Sequence, residues 1–187
     1  MSTENSQIFQ TERLILRPWR EDDAEDLFRY AQDPQVGPMA GWPVHTSVEN
    51  SRDIIRNVLS AHETYAVTLK ADGKAIGSIG LLFGERSNMQ LSDNECEIGF
   101  WIGVPFWGQG LIPEAVRRLQ QHCFEDLGIT KIWGIYFDGN TKSMRAQEKC
   151  GFRYQYTKEN MAVPLLGEQR TEHFTCITKD EWLALNR

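Results

Sequence analysis

The chain has 187 residues, with 20 basic and 26 acidic side chains, a net charge of −6 and 41% apolar residues; its sequence pI is about 5.3. That size and composition belong to a globular domain and exclude a fibre or extensive disorder. The acidic balance excludes a broad electrostatic footprint on nucleic acid or an anionic membrane, so any bound anion must be met by a local device.

Arg13-Leu14-Ile15-Leu16-Arg17 alternates charge with aliphatic bulk and stops at Pro18, which predicts a first strand; residues 1–9 before it are expected to be flexible. Glu21-Asp22-Asp23 opens a helix with Ala24, Leu27, Phe28 and Ala31 on one face, closed by Asp33-Pro34. A loop rich in Gly, Pro and Trp, from Gly37 to Pro43, leads to a second helix after Thr46 or Ser47, with Ile54, Ile55, Val58 and Leu59 as its apolar stripe. Tyr65 to Leu69 and Ala75 to Leu82 form strands joined by the hairpin turn Ala71-Asp72-Gly73-Lys74. Glu95 to Ile102 is a further strand, in which Glu95 and Glu97 share a face and Cys96 points the other way. A helix follows from about Pro113 to Leu127, with Val116, Leu119, Cys123, Phe124 and Leu127 along one side and Gly128 just past its end. Lys131 to Phe137 is a strand and Asn140 to Lys149 a short helix stopped by Gly151. Phe152 onward and His173 to Thr178 are strands before a terminal turn at Lys179 to Leu183. Several connections are too short for crossover helices, so the expected fold is a single α/β (α+β) domain over residues 1–187 with a mixed, mostly antiparallel sheet.

Cys96, Cys123, Cys150 and Cys176 contain no C-x-x-C pair and no clustered histidines, which favours buried thiols over a metal site. No apolar run approaches a membrane span and MSTENSQ lacks the pattern of a leader, so the expected setting is cytoplasmic.

Two stretches carry chemistry. In Trp107-Gly108-Gln109-Gly110-Leu111-Ile112-Pro113-Glu114-Ala115, two glycines let the backbone turn its N–H groups to a ligand, and the helix that follows adds partial positive charge. This is an anion site that needs no net positive charge. A dinucleotide fingerprint would need a third glycine where Pro113 stands, and an NTP loop would end in Gly-Lys-Ser/Thr, which is absent. In the second stretch, Asn140 to Arg153, Asn140 can cap the helix, and Lys142, Arg145 and Lys149 share a face. Four basic residues against one acid make this stretch locally positive, which suits a phosphate-bearing ligand.

These stretches, in this order behind Thr11-Glu12-Arg13-Leu14-Ile15-Leu16-Arg17 and Glu97-Ile98-Gly99-Phe100-Trp101-Ile102, resemble the GNAT N-acetyltransferase family. The resemblance is to its RimJ/RimL-like branch, the ribosomal-protein N-terminal acetyltransferases, and covers essentially the whole chain; Lys149-Cys150-Gly151-Phe152 completes the match. It implies a GNAT fold with splayed central strands and acetyl-coenzyme A as co-substrate. The coenzyme is expected at Trp101, Ile102, Trp107, Gly108, Gln109, Gly110, Leu111, Ile112, Asn140, Ser143 and Lys149, with unpaired N–H groups at Trp101 and Ile102 for the pantetheine arm. The family's loop pattern falls on Trp107, Gly110 and Ile112, where Trp107 replaces a polar residue and Ile112 a small one.

The implied reaction is direct attack of a primary amine on the thioester. Glu97, with Glu95 second, is the candidate base. Many members carry a tyrosine acid at the position of Gln147; its absence makes Ser143 the candidate donor to the departing sulfur, with Asn140 a positioning group. An acetyl-cysteine route through Cys150 is the lesser alternative. Met39, Trp42, His45, Tyr154, Tyr156, Met161 and Phe174 are candidates to line the acceptor pocket. The acceptor is expected to be a protein N-terminal α-amine, the alternatives being a small-molecule amine or a non-catalytic acyl-coenzyme A-binding module. No metal, direct nucleic acid or membrane partner is expected, and the chain is read as a monomer or homodimer.

Overall fold

The structure, a computed structural model, describes residues 7–187. Its strands are β1 (Phe9–Gln10), β2 (Leu14–Pro18), β3 (Thr64–Leu69), β4 (Ala75–Leu82), β5 (Glu95–Ile102), β6 (Lys131–Phe137), β7 (Arg153–Val163) and β8 (Glu168–Thr178). They make one sheet in the order β1-β2-β3-β4-β5-β6-β8-β7. Every pairing is antiparallel except β5 with β6. That parallel step requires a crossover, supplied by α4 (Leu111–Gln121). The other helices are α1 (Ala24–Ala31), α2 (Gly37–Ala40), α3 (Val48–Ile54), α5 (Thr141–Lys149) and α6 (Lys179–Leu185).

The sheet separates two cores. On one face Val116, Leu119, Cys123 and Phe124 pack with Leu14, Leu16, Ile76, Cys96, Ile98 and Ile132, all essentially without exposure. On the other, Ala24, Leu27 and Ala31 of α1 meet Ile55, Trp19, Ala66 and Ala75. The alternation expected in β5 holds: Cys96 is buried on the α4 face, its sulfur 3.9 Å from that of Cys123.

Several elements differ from the sequence reading. The expected flexible segment 1–9 falls mostly outside the described residues, but its last residue is fixed: Phe9 pairs with Leu16 and is buried under Tyr65 and His122. Gly37–Ala40 forms a helical turn where a loop is expected, ended by Gly41 in the left-handed region. After α3 the chain widens into a π-turn, with Ser60 N–H donating to the Ile55 carbonyl at 2.9 Å. The wider turn shifts the side-chain period, so Ile55 is buried while Val58 faces solvent. A second wide turn, His122–Asp126, ends the long helix and leaves Leu127 at the surface.

Candidate active site

The glycine turn is built as its sequence demands. Gly108 and Gly110 both have φ of +74°, a conformation glycine adopts without penalty. Gly110 caps α4, and its carbonyl accepts the first helical bond from Glu114 N–H at 3.1 Å. The N–H groups of Leu111 and Ile112 precede any such partner; their side chains are buried in the α4 core, so what they offer a ligand is backbone.

The opening Thr-x-Arg motif braces this turn. Thr11 Oγ1 donates to Glu114 Oε1 at 2.5 Å, Arg13 N–H to the same oxygen at 2.8 Å, and Arg13 Nε to Oε2 at 2.7 Å. Arg13 Nη1 also donates to the Gln109 carbonyl at 3.0 Å. Burial pushes the Glu114 carboxyl up, but the bonds from Thr11 and Arg13 outweigh it and hold the group below the usual carboxylate range. The Gln109 side chain is turned away, donating to Pro105 O at 2.9 Å.

Asn140 Oδ1 accepts from Ser143 N–H at 3.2 Å, the expected cap, while its Nδ2 donates to Met39 O at 3.4 Å and ties α2 to α5. Lys142, Arg145 and Lys149 line one cleft of about 580 Å3 together with Gly108, Gly110 and Ser143. Trp107 closes that end: its Nε1 donates to Ile102 O at 2.9 Å, and Lys142 Nζ sits 4.1 Å from its ring centre. Ser143 Oγ accepts from Gln147 Nε2 at 3.2 Å, which leaves its own proton to donate elsewhere. Gln147 is itself held by Ile135 O and by Thr175 Oγ1.

The cleft exists because β5 and β6 part. Their pairing runs from Glu95–Lys131 to Ile98–Gly134 and stops. Asn94 O accepts from Thr130 N–H on the β6 side, while Gly103 N–H donates to Ile76 O on the β4 side. Ladder groups alternate sides, so the groups facing the gap are those of Phe100 and Ile102. Trp101 N–H, expected to be unpaired, instead points to its register partner Ser78 on β4. The sequence shows a strand but not which of its two edges is free.

On the far side of the gap stand two carboxylates. Glu97 accepts from Ser87 Oγ at 2.6 Å. Burial raises its carboxyl above the usual range, opposed by the Ser87 bond and reinforced by Glu172. Glu95, by contrast, is paired with Lys131 at 3.0 Å and bonded by Trp133 Nε1, away from the cleft. Glu172, which the sequence reading did not single out, lines the same cleft with only 5% exposure. Among the described residues no donor bonds its Oε2.

Of the expected acceptor residues, Met39 lines the cleft and Trp42, His45, Tyr154, Tyr156, Met161 and Phe174 do not. Trp42 packs edge-on against Trp101, and His45 is buried with Nδ1 bonded to Ser51 Oγ at 2.8 Å. Tyr154 is 60% exposed and opposite Thr175, on the α5 face of the sheet. Aromatic content cannot tell which sheet face a ring occupies. Cys150 is buried, donates to Pro113 O, and has its thiol pushed up to about 11 by burial, a poor state for a nucleophile.

A glycine turn at a helix start, a basic helix face and a parted parallel strand pair meet in one cleft. Residues 13–153 match the acetyltransferase (GNAT) domain model. The chain is 30% identical over 148 residues to an uncharacterized N-acetyltransferase, p20, of Bacillus licheniformis, covering 76% of this chain and 80% of that one. Its fold is that of the ribosomal-protein-S5-alanine acetyltransferase of Vibrio fischeri, with TM-score 0.71, 19% identity, and coverage of 94% and 98%. It is also that of Mycobacterium smegmatis RimJ in complex with CoA-disulfide, with TM-score 0.72, 20% identity, and coverage of 96% and 94%. The chain belongs to the GNAT acetyltransferase family, whose members use acetyl-coenzyme A. Among the described residues no three His, Cys, Asp or Glu side chains group as metal ligands, and no helix is long and apolar enough to cross a membrane.

Proposed function

We propose that the chain acetylates a protein N-terminal α-amine by direct attack on acetyl-coenzyme A. The observation that carries this reading is the through-sheet cleft, cationic and rich in free N–H groups at one end and carboxylate-lined at the other. In this reading the turn at Gly108 and Gly110, the start of α4, and Lys142, Arg145 and Lys149 hold the diphosphate and ribose phosphate of the coenzyme. Phe100, through its N–H and carbonyl, and Ile102, through its N–H, offer ladder groups to the pantetheine amides. Residues matched to the coenzyme are thus on hand as backbone donors and cations, and the bulk of Ile112 lies in the core.

The amine arrives protonated, and Glu97 takes its proton. An α-amine, with a pKa of about 7.7–8.0 against about 10.4 for lysine, demands less of that base. The neutral nitrogen attacks the thioester carbon, the C–S bond breaks, and the sulfur leaves with its charge met by the Ser143 hydroxyl; the second amine proton neutralises the thiolate. Asn140 and Gln147 act through Ser143, the first by capping its helix and the second by occupying its lone pair. The ribosomal-protein acetyltransferase from Vibrio fischeri, alike in fold, supports a protein acceptor. Incubation of the protein with acetyl-coenzyme A and a panel of ribosomal-protein N-terminal peptides and small amines, read by mass spectrometry, tests the reading. Acetylation confined to peptide α-amines is expected; acetylation of small amines alone would refute the protein acceptor.

A further inference from the structure

Glu172 is buried, and among the described residues no donor bonds its Oε2, a costly arrangement for a carboxylate in a free protein. The nearest cations do not bond it, although the charge of Lys158 opposes the effect of burial on its carboxyl. Lys158, opposite it in the β7–β8 register, lies 5.6 and 5.4 Å from the rings of Tyr156 and Phe174. Arg170, two residues along β8, pairs with Glu168 at 2.7 Å and donates to Pro38 O at 2.6 Å. Across β8 and β6, Glu172 sits opposite Phe137, which also lines the cleft. Glu97 stands on the other wall, on β5, already bonded by Ser87. The charge of Glu172 helps raise the Glu97 carboxyl, yet the two belong to separate walls of one cavity.

A buried carboxylate with an unbonded oxygen on the wall of such a cavity is a receptor for a cation. We infer that Glu172 binds a second cationic group of the acceptor, so that the enzyme selects primary amines carrying another positive charge, the reacting amine lying towards Glu97 and the second cation at Glu172. The inference rests on the acetyltransferase reading above. The shared chemistry, an amine with a second ammonium or guanidinium, is that of a basic peptide N-terminus and of an alkyl diamine. Two negative walls and two positive groups leave the closed site near neutral, whereas a monoamine leaves one carboxylate buried and unpaired.

The test compares 1,5-diaminopentane with 1-aminopentane, and an Ala-Lys-initiated peptide with its Ala-Gln counterpart, for wild type and Glu172→Gln. The wild type is expected to favour the dicationic member of at least one pair by about tenfold in kcat/KM, mostly through KM, and the variant to level that pair while acetyl-coenzyme A KM stays unchanged. Preference for the diamine alone assigns a small-molecule source and preference for the Lys peptide alone a protein source. No preference in either pair, or a preference that survives in the variant, overturns the inference. Thermal unfolding separates a positioning role from a structural one: Glu172→Gln should not lower Tm, and a fall would assign the side chain to the fold. A binding readout needs no turnover: 1,5-diaminopentane dihydrochloride should raise wild-type Tm over sodium chloride at equal ionic strength, and not that of Glu172→Gln. If that shift appears and no amine is acetylated, the acetyl-transfer reading fails and the cation site stands; if the shift is absent, the cation site fails whatever the activity.

Discussion

Gly134→Ala tests how the sheet holds Ser143. A Cβ at position 134 would lie 2.7 Å from Gln147 Oε1 and 3.0 Å from both Gln147 Cδ and Thr175 Oγ1. Neither neighbour can yield freely: Gln147 is 1% exposed and fixed by Ile135 O, Ser143 Oγ and Thr175 Oγ1, and Thr175 also donates to Gly134 O. Overpacking of this kind costs about 1–3 kcal/mol, and loss of one buried hydrogen bond adds about 1 kcal/mol. A destabilisation of roughly 2–4 kcal/mol lowers Tm by about 5–15 °C for a chain of this size. Displacing Gln147 also frees the Ser143 hydroxyl to rotate, so kcat should fall several-fold while acetyl-coenzyme A affinity, set at the glycine turn, holds. Differential scanning calorimetry and steady-state kinetics on the purified variant read both effects. A loss below about 1 kcal/mol with unchanged kcat would refute the claim that Gln147 positions Ser143 through this contact.

The remaining predictions concern the carboxylates, the turn and the thiol. Glu97→Gln should lower kcat by about 100-fold or more and abolish the acidic limb of the wild-type rate profile, which lies above ordinary carboxylate titration because burial raises the Glu97 carboxyl. Turnover of the variant equal to wild type at every pH would remove Glu97 as the base. Burial likewise raises Glu172, so its contribution to stability is full below the unfolded value of about 4.3 and is lost as pH rises through the folded one. Glu172→Gln should therefore raise Tm at pH 7 and leave it nearly unchanged at low pH, by scanning calorimetry. Glu114→Ala strands Thr11 and Arg13 and should cost about 1–2 kcal/mol while weakening coenzyme A binding in titration calorimetry; unaltered affinity would sever the brace from the turn. Cys150→Ala should retain full acetyl transfer, since a buried thiol raised to about 11 is not the nucleophile; a folded but inactive variant would reinstate a covalent route.

How far the site was legible depended on whether its parts were local in sequence. The cap at Asn140, the basic face of α5 and the left-handed glycines are set by spacing within a few residues, and each stands where its spacing indicates. The partners of Glu114 lie about a hundred residues earlier, so Thr11 and Arg13 were visible as a motif but not as a brace. Glu172 sits in a polar stretch with no pattern to mark it, and only the pairing of β8 with β6 brings it into the cleft. Trp42, His45 and Tyr154 were candidates by type alone, because position in a strand or loop fixes parity but not which layer covers that face. The same limit hid the edge of β5 that carries the free ladder groups.

Coenzyme binding and transfer meet in one measurement: mass spectrometry of amine-bearing peptides after incubation with the protein and acetyl-coenzyme A. The account predicts one acetyl group added to a peptide α-amine, with equimolar free coenzyme A released and the product lost in Glu97→Gln. A protein that gains about 2.7 kcal/mol of stability at 100 times the dissociation constant of acetyl-coenzyme A, yet acetylates no amine, would contradict it.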